Sequence, residues 1–460
     1  MKGKLELSSL SRLVKRSYAS QAQAVRKSEP KKELVKGELK QKVLPNGMVV
    51  ASLDNLSPVA KIGVYVRAGP RFETSKEVGA SHFIRYAAGM HTQNFTIFGI
   101  TRNIEYSGAS LTVSSTRDDI IYRMNGLRES IKDNFKYLAD TVSRPAFKFW
   151  QLDDYRYRME VEIERARIDP QQVLLEEVHR IAFRGGLSNS LFASKEVLEH
   201  HDPEHLSEML HHYHQRTFIN KRVAIVGLGV DQDHLLEHVE KTFGLSDFSG
   251  PELAKSKFIG GESRLIMDAG RNQTYAVVAT EGASSENLKD VLAFTLLQNI
   301  LSTGVHVPKG MGASKLSQAA GKVAKAPFRV DTLNLNYADS GLFGVAIACH
   351  AKESGDIVKA VVNKMRETCK NVKEDELQTA KNQAKAALLI ASEDEGNLID
   401  TLAATLMNQH EAKSIDELEK HIDGITLKDI QSIASKIVKS KGTLVSVGNL
   451  DNMCYLEDLA

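Results

Sequence analysis

The sequence predicts an α+β protein of two homologous domains, each a sheet covered by helices. Three observations carry this expectation. The chain has 460 residues, 42% of them hydrophobic, too many for one ordinary domain and enough for two cores of roughly 200 residues each. Short β-branched runs alternate with segments whose apolar residues recur at threes and fours, the marks of strands and amphipathic helices. Three landmarks of the first half also return in the same order in the second. Val59–Val66 leads through Gly69 to a helix, as Thr274–Thr280 leads through Gly282-Ala283-Ser284 to a helix over Leu288–Leu301. Gly108–Val142 is mirrored by Ser340–Ile347 and a helix from Gly355 to about Cys369, and Arg222–Gly227 and Thr443–Gly448 close the halves, 221 residues apart at the glycine.

In chain order, the first 28 or so residues are basic and serine-rich, with a single acid at Glu6 and with Leu5, Leu10 and Leu13 spaced to share a helical face. That is the composition of a mitochondrial transit peptide, cut near Arg16-Ser17-Tyr18-Ala19. Residues 1–38 are accordingly expected to be transit peptide and lead-in, 39–248 the first domain, 249–258 a linker around Ser249-Gly250-Pro251, and 259–460 the second domain. Leu44-Pro45-Asn46-Gly47 is a turn signal, so a hairpin is expected between Val43 and Met48–Ser52. Val59–Val66 reads as a buried strand and Val78–Met90 as a helix; Leu111–Ser115 is a strand. Asp118 and Asp119 are expected to open one long helix through Ile120, Met124, Leu127, Ile131, Phe135, Leu138 and Val142, which Pro145 ends. A charged helix over Phe149–Arg167 follows, and Asp169-Pro170 and Asp202-Pro203 each read as N-cap and first residue of a further helix. Ser414-x-x-Glu417 and Thr426-x-x-Asp429 read as helix starts.

A net charge of +2 argues against a nucleic-acid partner, which would require many unneutralised cations against phosphates. Cys349, Cys369 and Cys454 form no C-x-x-C pair and read as free thiols of a reducing compartment. The longest apolar runs, such as Ala386–Ala391, fall far short of the roughly 20 residues that span a bilayer, so contact with a membrane is expected only through partner subunits.

The chemical interest lies in VGASHFIRYAAGM, Val78–Met90. On a helix His82, Arg85, Tyr86 and Gly89 share one face. In the zinc signature His-x-x-Glu-His, two histidines one turn apart hold the metal and the glutamate activates its water. Here the five positions read His82-Phe83-Ile84-Arg85-Tyr86. A literal His-x-x-Glu-His occurs at His201-Asp202-Pro203-Glu204-His205, with Glu281 placed 76 residues after His205. Asp202-Pro203 should begin a helix and leave His201 outside it, so two ligands one turn apart are not available there. His211, His212 and His214 point in different directions on that helix.

With its duplicated layout, Leu44-Pro45-Asn46-Gly47 before the first strand and a degenerate His-x-x-Glu-His helix, the chain resembles the pitrilysin-type metallopeptidase family, which includes the mitochondrial processing peptidase subunits. Val49-Ala51-Ser52-Leu53, Ile225-Gly227-Leu228-Gly229-Val230, Gly260-Gly261-Glu262, His306-Val307 and Asp339-Ser340-Gly341-Leu342-Phe343-Gly344 carry a narrower likeness to the core subunits of the mitochondrial cytochrome b-c1 complex. The resemblance implies the pitrilysin-type fold and places His82 at the first zinc ligand, Arg85 at the base, Tyr86 at the second ligand and Glu162, 76 residues on, at the distal ligand. A guanidinium cannot accept a proton and repels a dication; a phenol of pKa near 10 must ionise to ligate strongly. No catalytic, cofactor-binding or metal-binding residue and no cofactor is therefore expected. The polar face of the helix is expected to look into the space between the halves, and Glu160, Glu162 and Glu164 to spread around a solvated helix.

Two functions follow from the resemblance. One is a noncatalytic structural subunit of a respiratory complex on the matrix side of the mitochondrial inner membrane. The other is a noncatalytic, presequence-binding subunit of the processing peptidase. Leu301–Gly312 is like the glycine-containing loop that some relatives use against presequences, but Gly304, Gly310 and Gly312 are too spread to specify a phosphate cradle. That dilution and the Asp339–Gly344 motif favour the first function.

Overall fold

A computed structural model describes residues 37–200, 202–247, 255–267, 272–302 and 314–459. The basic leader, the centre of the linker, His201 and most of the Leu301–Gly312 loop therefore lie outside the described residues.

The first half runs β1 (Leu39–Val43), β2 (Val49–Leu53), β3 (Val59–Val66), α1 (Ala80–Ala87), α2 (Ile97–Tyr106), β4 (Ser110–Ser115), β5 (Ile120–Leu127), α3 (Ile131–Ser143), α4 (Phe149–Ile168), α5 (Pro170–Ala182), β6 (Phe183–Arg184), α6 (Lys195–His200), α7 (Pro203–Thr217), β7 (Val223–Leu228) and α8 (Gln232–Thr242). The second runs β8 (Lys257–Phe258), β9 (Gly261–Ile266), β10 (Gln273–Glu281), α9 (Leu288–Leu301), α10 (Lys315–Gly321), β11 (Arg329–Asn336), β12 (Gly341–His350), α11 (Ser354–Lys370), α12 (Glu374–Glu393), α13 (Glu395–Gln409), α14 (Ile415–Asp423), α15 (Leu427–Lys439) and β13 (Thr443–Gly448). No helix among the described residues is long and apolar enough to cross a membrane.

The hairpin forms where the turn signal stands. Gly47 takes φ 87, and the Gly47 and Leu44 amides close the turn onto Leu44 O and Met48 O. Asp169 caps α5 by accepting from the Gln171 amide, and Ser414 and Thr426 both close full capping boxes.

The first sheet has the order β1-β2-β7-β3-β5-β4 and the second β11-β12-β10-β13-β9. Reversing the second aligns it strand for strand with the first: β9 with β2, β13 with β7, β10 with β3, β12 with β5 and β11 with β4. The single parallel pair recurs as well, β2 with β7 and β9 with β13. The internal duplication is thus a duplication of topology.

One expectation fails. The segment read as a single helix from Ile120 is the strand β5, a turn, and only then α3. In β5 Ile120, Tyr122 and Met124 join the core of the first half, while Ile121 points the other way into a cluster with α13. The alternation of β5 is confined to Tyr122-Arg123-Met124-Asn125, whereas the adjacent Ile120 and Ile121 are both buried, on opposite faces, and Ile120, Met124 and Leu127 mimic helical spacing, so the period is ambiguous. The correction strengthens the repeat, because the β4-β5 hairpin followed by α3 now matches the β11-β12 hairpin followed by α11. Helix α2 was not foreseen; its signals are Thr96, whose hydroxyl accepts from the Gly99 amide, and Ile97, Ile100 and Ile104 at threes and fours.

Each half buries a core between its sheet and its own helices. The opposite sheet faces are covered by exchange. Helix α13 of the second half lays Ile399, Leu402, Ala403 and Leu406 on Ala51, Tyr65, Ile121 and Val226 of the first sheet. Helix α5 of the first half lays Leu174, Val178 and Ala182 on Val277, Ala279, Val445 and Val447 of the second. Polar ties join the halves around these layers. Asp400 of α13 accepts from Arg123 at 2.6 Å and from the Tyr65 hydroxyl. Arg71 reaches both Asp118, at 3.0 Å, and Asp339 of the Asp339–Gly344 motif. Burial of this many apolar side chains across the exchanged faces, at about 25 cal/mol per Å2, makes the two halves one cooperative body.

Candidate functional site

Helix α1 starts from a left-handed Gly79, φ 86, where a Cβ would meet the Ala193 methyl at 2.6 Å. Its first amides are satisfied from a distance. The Glu73 carboxylate accepts from Gly79 N at 2.8 Å, Ser81 N at 2.9 Å and Ser81 Oγ at 2.6 Å. Burial pushes Glu73 up to about 7 despite these donors.

His82 projects from the first turn of α1 into a dry setting, its side chain 0% exposed. Its ring stands edge-on to Tyr86 and Phe192, centroids 5.5 and 5.6 Å away. The Ala193 amide donates to Nδ1 at 3.1 Å, so Nδ1 is the acceptor and the proton sits on Nε2, which donates to Glu162 Oε2 at 3.2 Å. Burial lowers the pKa of His82 more than Glu162 raises it, so the imidazole is neutral at pH 7. One turn on, Arg85 donates to the other oxygen of Glu162 at 2.7 Å, and its guanidinium lies 5.4 Å from the Tyr86 ring centroid. Burial alone would raise the Glu162 carboxyl, but His82, Tyr86 and Arg85 outweigh it and hold it at about 2. Burial and then the Glu162 charge push Tyr86 up to about 12.

The sequence-matched residues are thus brought together: His82, Arg85, Tyr86 and Glu162 form one cluster between α1 and α4. The expectation that Glu160, Glu162 and Glu164 merely spread over a solvated helix fails for Glu162, whose two oxygens are both taken. A zinc ion does not fit this donor set as it stands. Both nitrogens of His82 are engaged, Glu162 already carries a cation, and a phenol at about 12 is a poor ligand at neutral pH. Among the described residues no group of three or more His, Cys, Asp or Glu side chains is placed to hold a metal ion.

Arg85 and Tyr86 border a pocket of about 460 Å3 whose walls include Ile97, Ile104, Leu111 and Tyr155, all of the first half. A cavity of about 730 Å3 lined by both halves is walled by such residues as Arg117, Asp118, His179, Leu333, Tyr337 and Asp400, and none of the four cluster residues lines it. His179 there receives the Tyr337 hydroxyl at 2.6 Å, a further tie between the halves that sequence spacing gave no sign of.

The literal His-x-x-Glu-His segment behaves as its proline suggests. Asp202 is the extended N-cap of α7 and Pro203 its first residue. The neighbouring imidazoles have other partners: His214 bonds Val142 O at 2.8 Å and stacks on Phe218, His211 packs on Phe147, and the exposed His212 meets Glu77. All three cysteines are free and buried, and burial pushes Cys349 up to about 12 and Cys369 to about 11.

Comparison with known proteins agrees with this layout. Residues 49–195 match the family described as insulinase, peptidase family M16, and residues 206–384 match the peptidase M16 inactive domain. The cytochrome b-c1 complex subunit 2, mitochondrial, of Rattus norvegicus is 31% identical over 92% of this chain and 92% of its own length. The protein of the same name from Homo sapiens is 30% identical over 90% and 91%. The probable mitochondrial-processing peptidase subunit alpha-1 of Arabidopsis thaliana is 28% identical over 88% and 81%.

Proposed function

The chain belongs to peptidase family M16, and we propose that within it this protein is a noncatalytic structural core subunit of the mitochondrial ubiquinol-cytochrome c reductase, the cytochrome b-c1 complex. Its likeness to subunit 2 of that complex, 31% against 28% for a processing-peptidase alpha subunit, favours this reading over a presequence-binding one. The observation that carries the noncatalytic part is the ion pair at the heart of the cluster. In a zinc peptidase the carboxylate after the first histidine must take a proton from a metal-bound water. Here Arg85 occupies that position and spends its charge on Glu162 at 2.7 Å. The guanidinium supplies the positive charge that binds α1 to α4, so the two helices stay joined without a metal ion.

The role is assembly and stability of the complex in the respiratory chain. Haem and iron-sulfur chemistry belong to other subunits, so this chain needs no cofactor. Its partners are core protein 1 and other subunits of the dimeric complex, with no nucleic acid, on the matrix side of the inner membrane and held there through partner subunits. Depleting the protein tests this directly. The assembled complex should fall on native gels together with ubiquinol-cytochrome c reductase activity, while maturation of imported precursors continues. Accumulated unprocessed precursors with an intact reductase would instead support the processing-peptidase reading.

A further inference from the structure

Aligning the two sheets leaves one strand without a counterpart. β1 covers the outer edge of β2 antiparallel, Lys40 opposite Ser52 and Lys42 opposite Val50. In the second sheet β9 occupies the place of β2, and its outer edge is the sheet's last. The segment that should have doubled back to cover it is diverted: Lys257-Phe258 pairs with Phe183-Arg184 of the first half, and the Ile259 amide donates to Ala182 O. Burial records the difference. The first four residues of β2 are buried, whereas the six residues of β9 are half-buried or, at Ile266, 90% exposed.

The orientation of that edge follows from its inner bonds. Gly261 and Met267 donate towards β13, to Gly442 O and Gly448 O. Alternation along the strand therefore turns the N–H and C=O groups of Glu262, Arg264 and Ile266 outward. Among the described residues none of these has a backbone partner. The rim is prepared rather than bare. Glu262 accepts from the Leu456 amide and pairs with Arg264, and Arg264 lies 4.3 Å from the ring of Tyr455, itself 57% exposed. Nothing on the edge blocks pairing in the way that proline or outward lysines would.

We propose that the outer edge of β9 receives an extended segment of another subunit, which pairs antiparallel with Glu262–Ile266 and sets an apolar residue against Ile266 and Tyr455, taking the place that β1 holds in the first sheet. The proposal rests on the reading of the chain as a subunit of a complex. A second copy of this chain is the poorer occupant. A six-residue edge paired with itself buries well under the roughly 1,000 Å2 that a stable interface needs, whereas a strand belonging to a larger contact adds its hydrogen bonds to area buried elsewhere.

The test compares hydrogen exchange of the 261–267 segment in the isolated chain and in the complex drawn from mitochondria in mild detergent. Exchange should be at least about tenfold slower in the complex. Ile266→Pro removes an outward N–H and leaves the β13 ladder intact, so the isolated variant should melt as the parent does while the amount recovered in the complex drops several-fold. A photoreactive residue at position 266 should join the chain to a different polypeptide. Slow exchange already in the isolated chain, unchanged exchange on assembly, or an adduct between two copies of this chain overturns the proposal. Failure of the chain to come down with haem-bearing partners overturns the functional reading and this proposal together; intact assembly with an unprotected edge overturns this proposal alone.

Discussion

Replacing Arg85 by methionine isolates the interaction on which the noncatalytic reading stands. The change keeps an unbranched apolar stem and removes the guanidinium, and with it one charge-assisted hydrogen bond of 2.7 Å between groups 24% and 28% exposed. A carboxyl held at about 2 rather than near 4.5 corresponds to an upper bound of about 3 kcal/mol at neutral pH. His82 and Tyr86 share that shift and water reaches both partners, so Arg85 alone should be worth about 1–2 kcal/mol. The sign is that of a depressed carboxyl. Its stabilisation is complete above pH 4.5 and is lost as pH falls towards 2, so the gap between parent and variant should be open at pH 7 and narrow at pH 3. Trp150, the only tryptophan, stands at the start of α4, the helix that carries Glu162. Its fluorescence can therefore follow unfolding at the site. At about 2–4 °C per kcal/mol for a body of this size, the variant should melt roughly 2–8 °C early at pH 7. A variant as stable as the parent at pH 7, or a gap that does not shrink on acidification, would refute the idea that Arg85 replaces a metal as the counter-charge of Glu162.

Other outcomes are expected from the same geometry. The protein as purified should carry no stoichiometric zinc by elemental analysis, and Arg85→Glu alone should not change this; adding Tyr86→His, which restores the second imidazole beside His82 and Glu162, should. Gly79→Ala meets the Ala193 methyl at 2.6 Å and a left-handed backbone at once, and should cost at least about 1–3 kcal/mol in thermal unfolding. Leu406→Ala removes a fully buried side chain from the face that α13 lays on the first sheet; a loss of about 2–5 kcal/mol is expected in denaturant melts. Because the exchanged helix joins the halves, both should lose stability together rather than in separate steps.

Much of the architecture was legible because the repeat leaves its mark in local signals. Gly47 marks a left-handed turn, Asp169-Pro170 a helix start, and β7 and β13 are buried runs too short to be helices. The cluster was legible too, since His82, Arg85 and Tyr86 lie one turn apart and the chemistry of a guanidinium in place of a carboxylate does not depend on packing. What escaped was set by the third dimension. β5 is covered on one face by its own helices and on the other by α13, a contact between residues 121 and 399 or so, and this coverage buries Ile121 beside Ile120, which shortens the alternation that distinguishes a strand to Tyr122–Asn125. The resemblance placed Glu162 beside the cluster, but its spacing with Glu160 and Glu164 alone read as solvated surface, because its partners come from another helix 77 and 80 residues away.

The central claim is that this peptidase-like chain serves a haem complex and does no peptidase chemistry. Its most direct test is the absorbance spectrum of the tagged protein recovered from mitochondria in mild detergent. The account predicts the bands of b- and c-type haem in fixed proportion to the chain, with no cleavage of a presequence substrate by the same sample beyond that of an untagged control. A preparation free of haem that comes down with an active processing peptidase would contradict it.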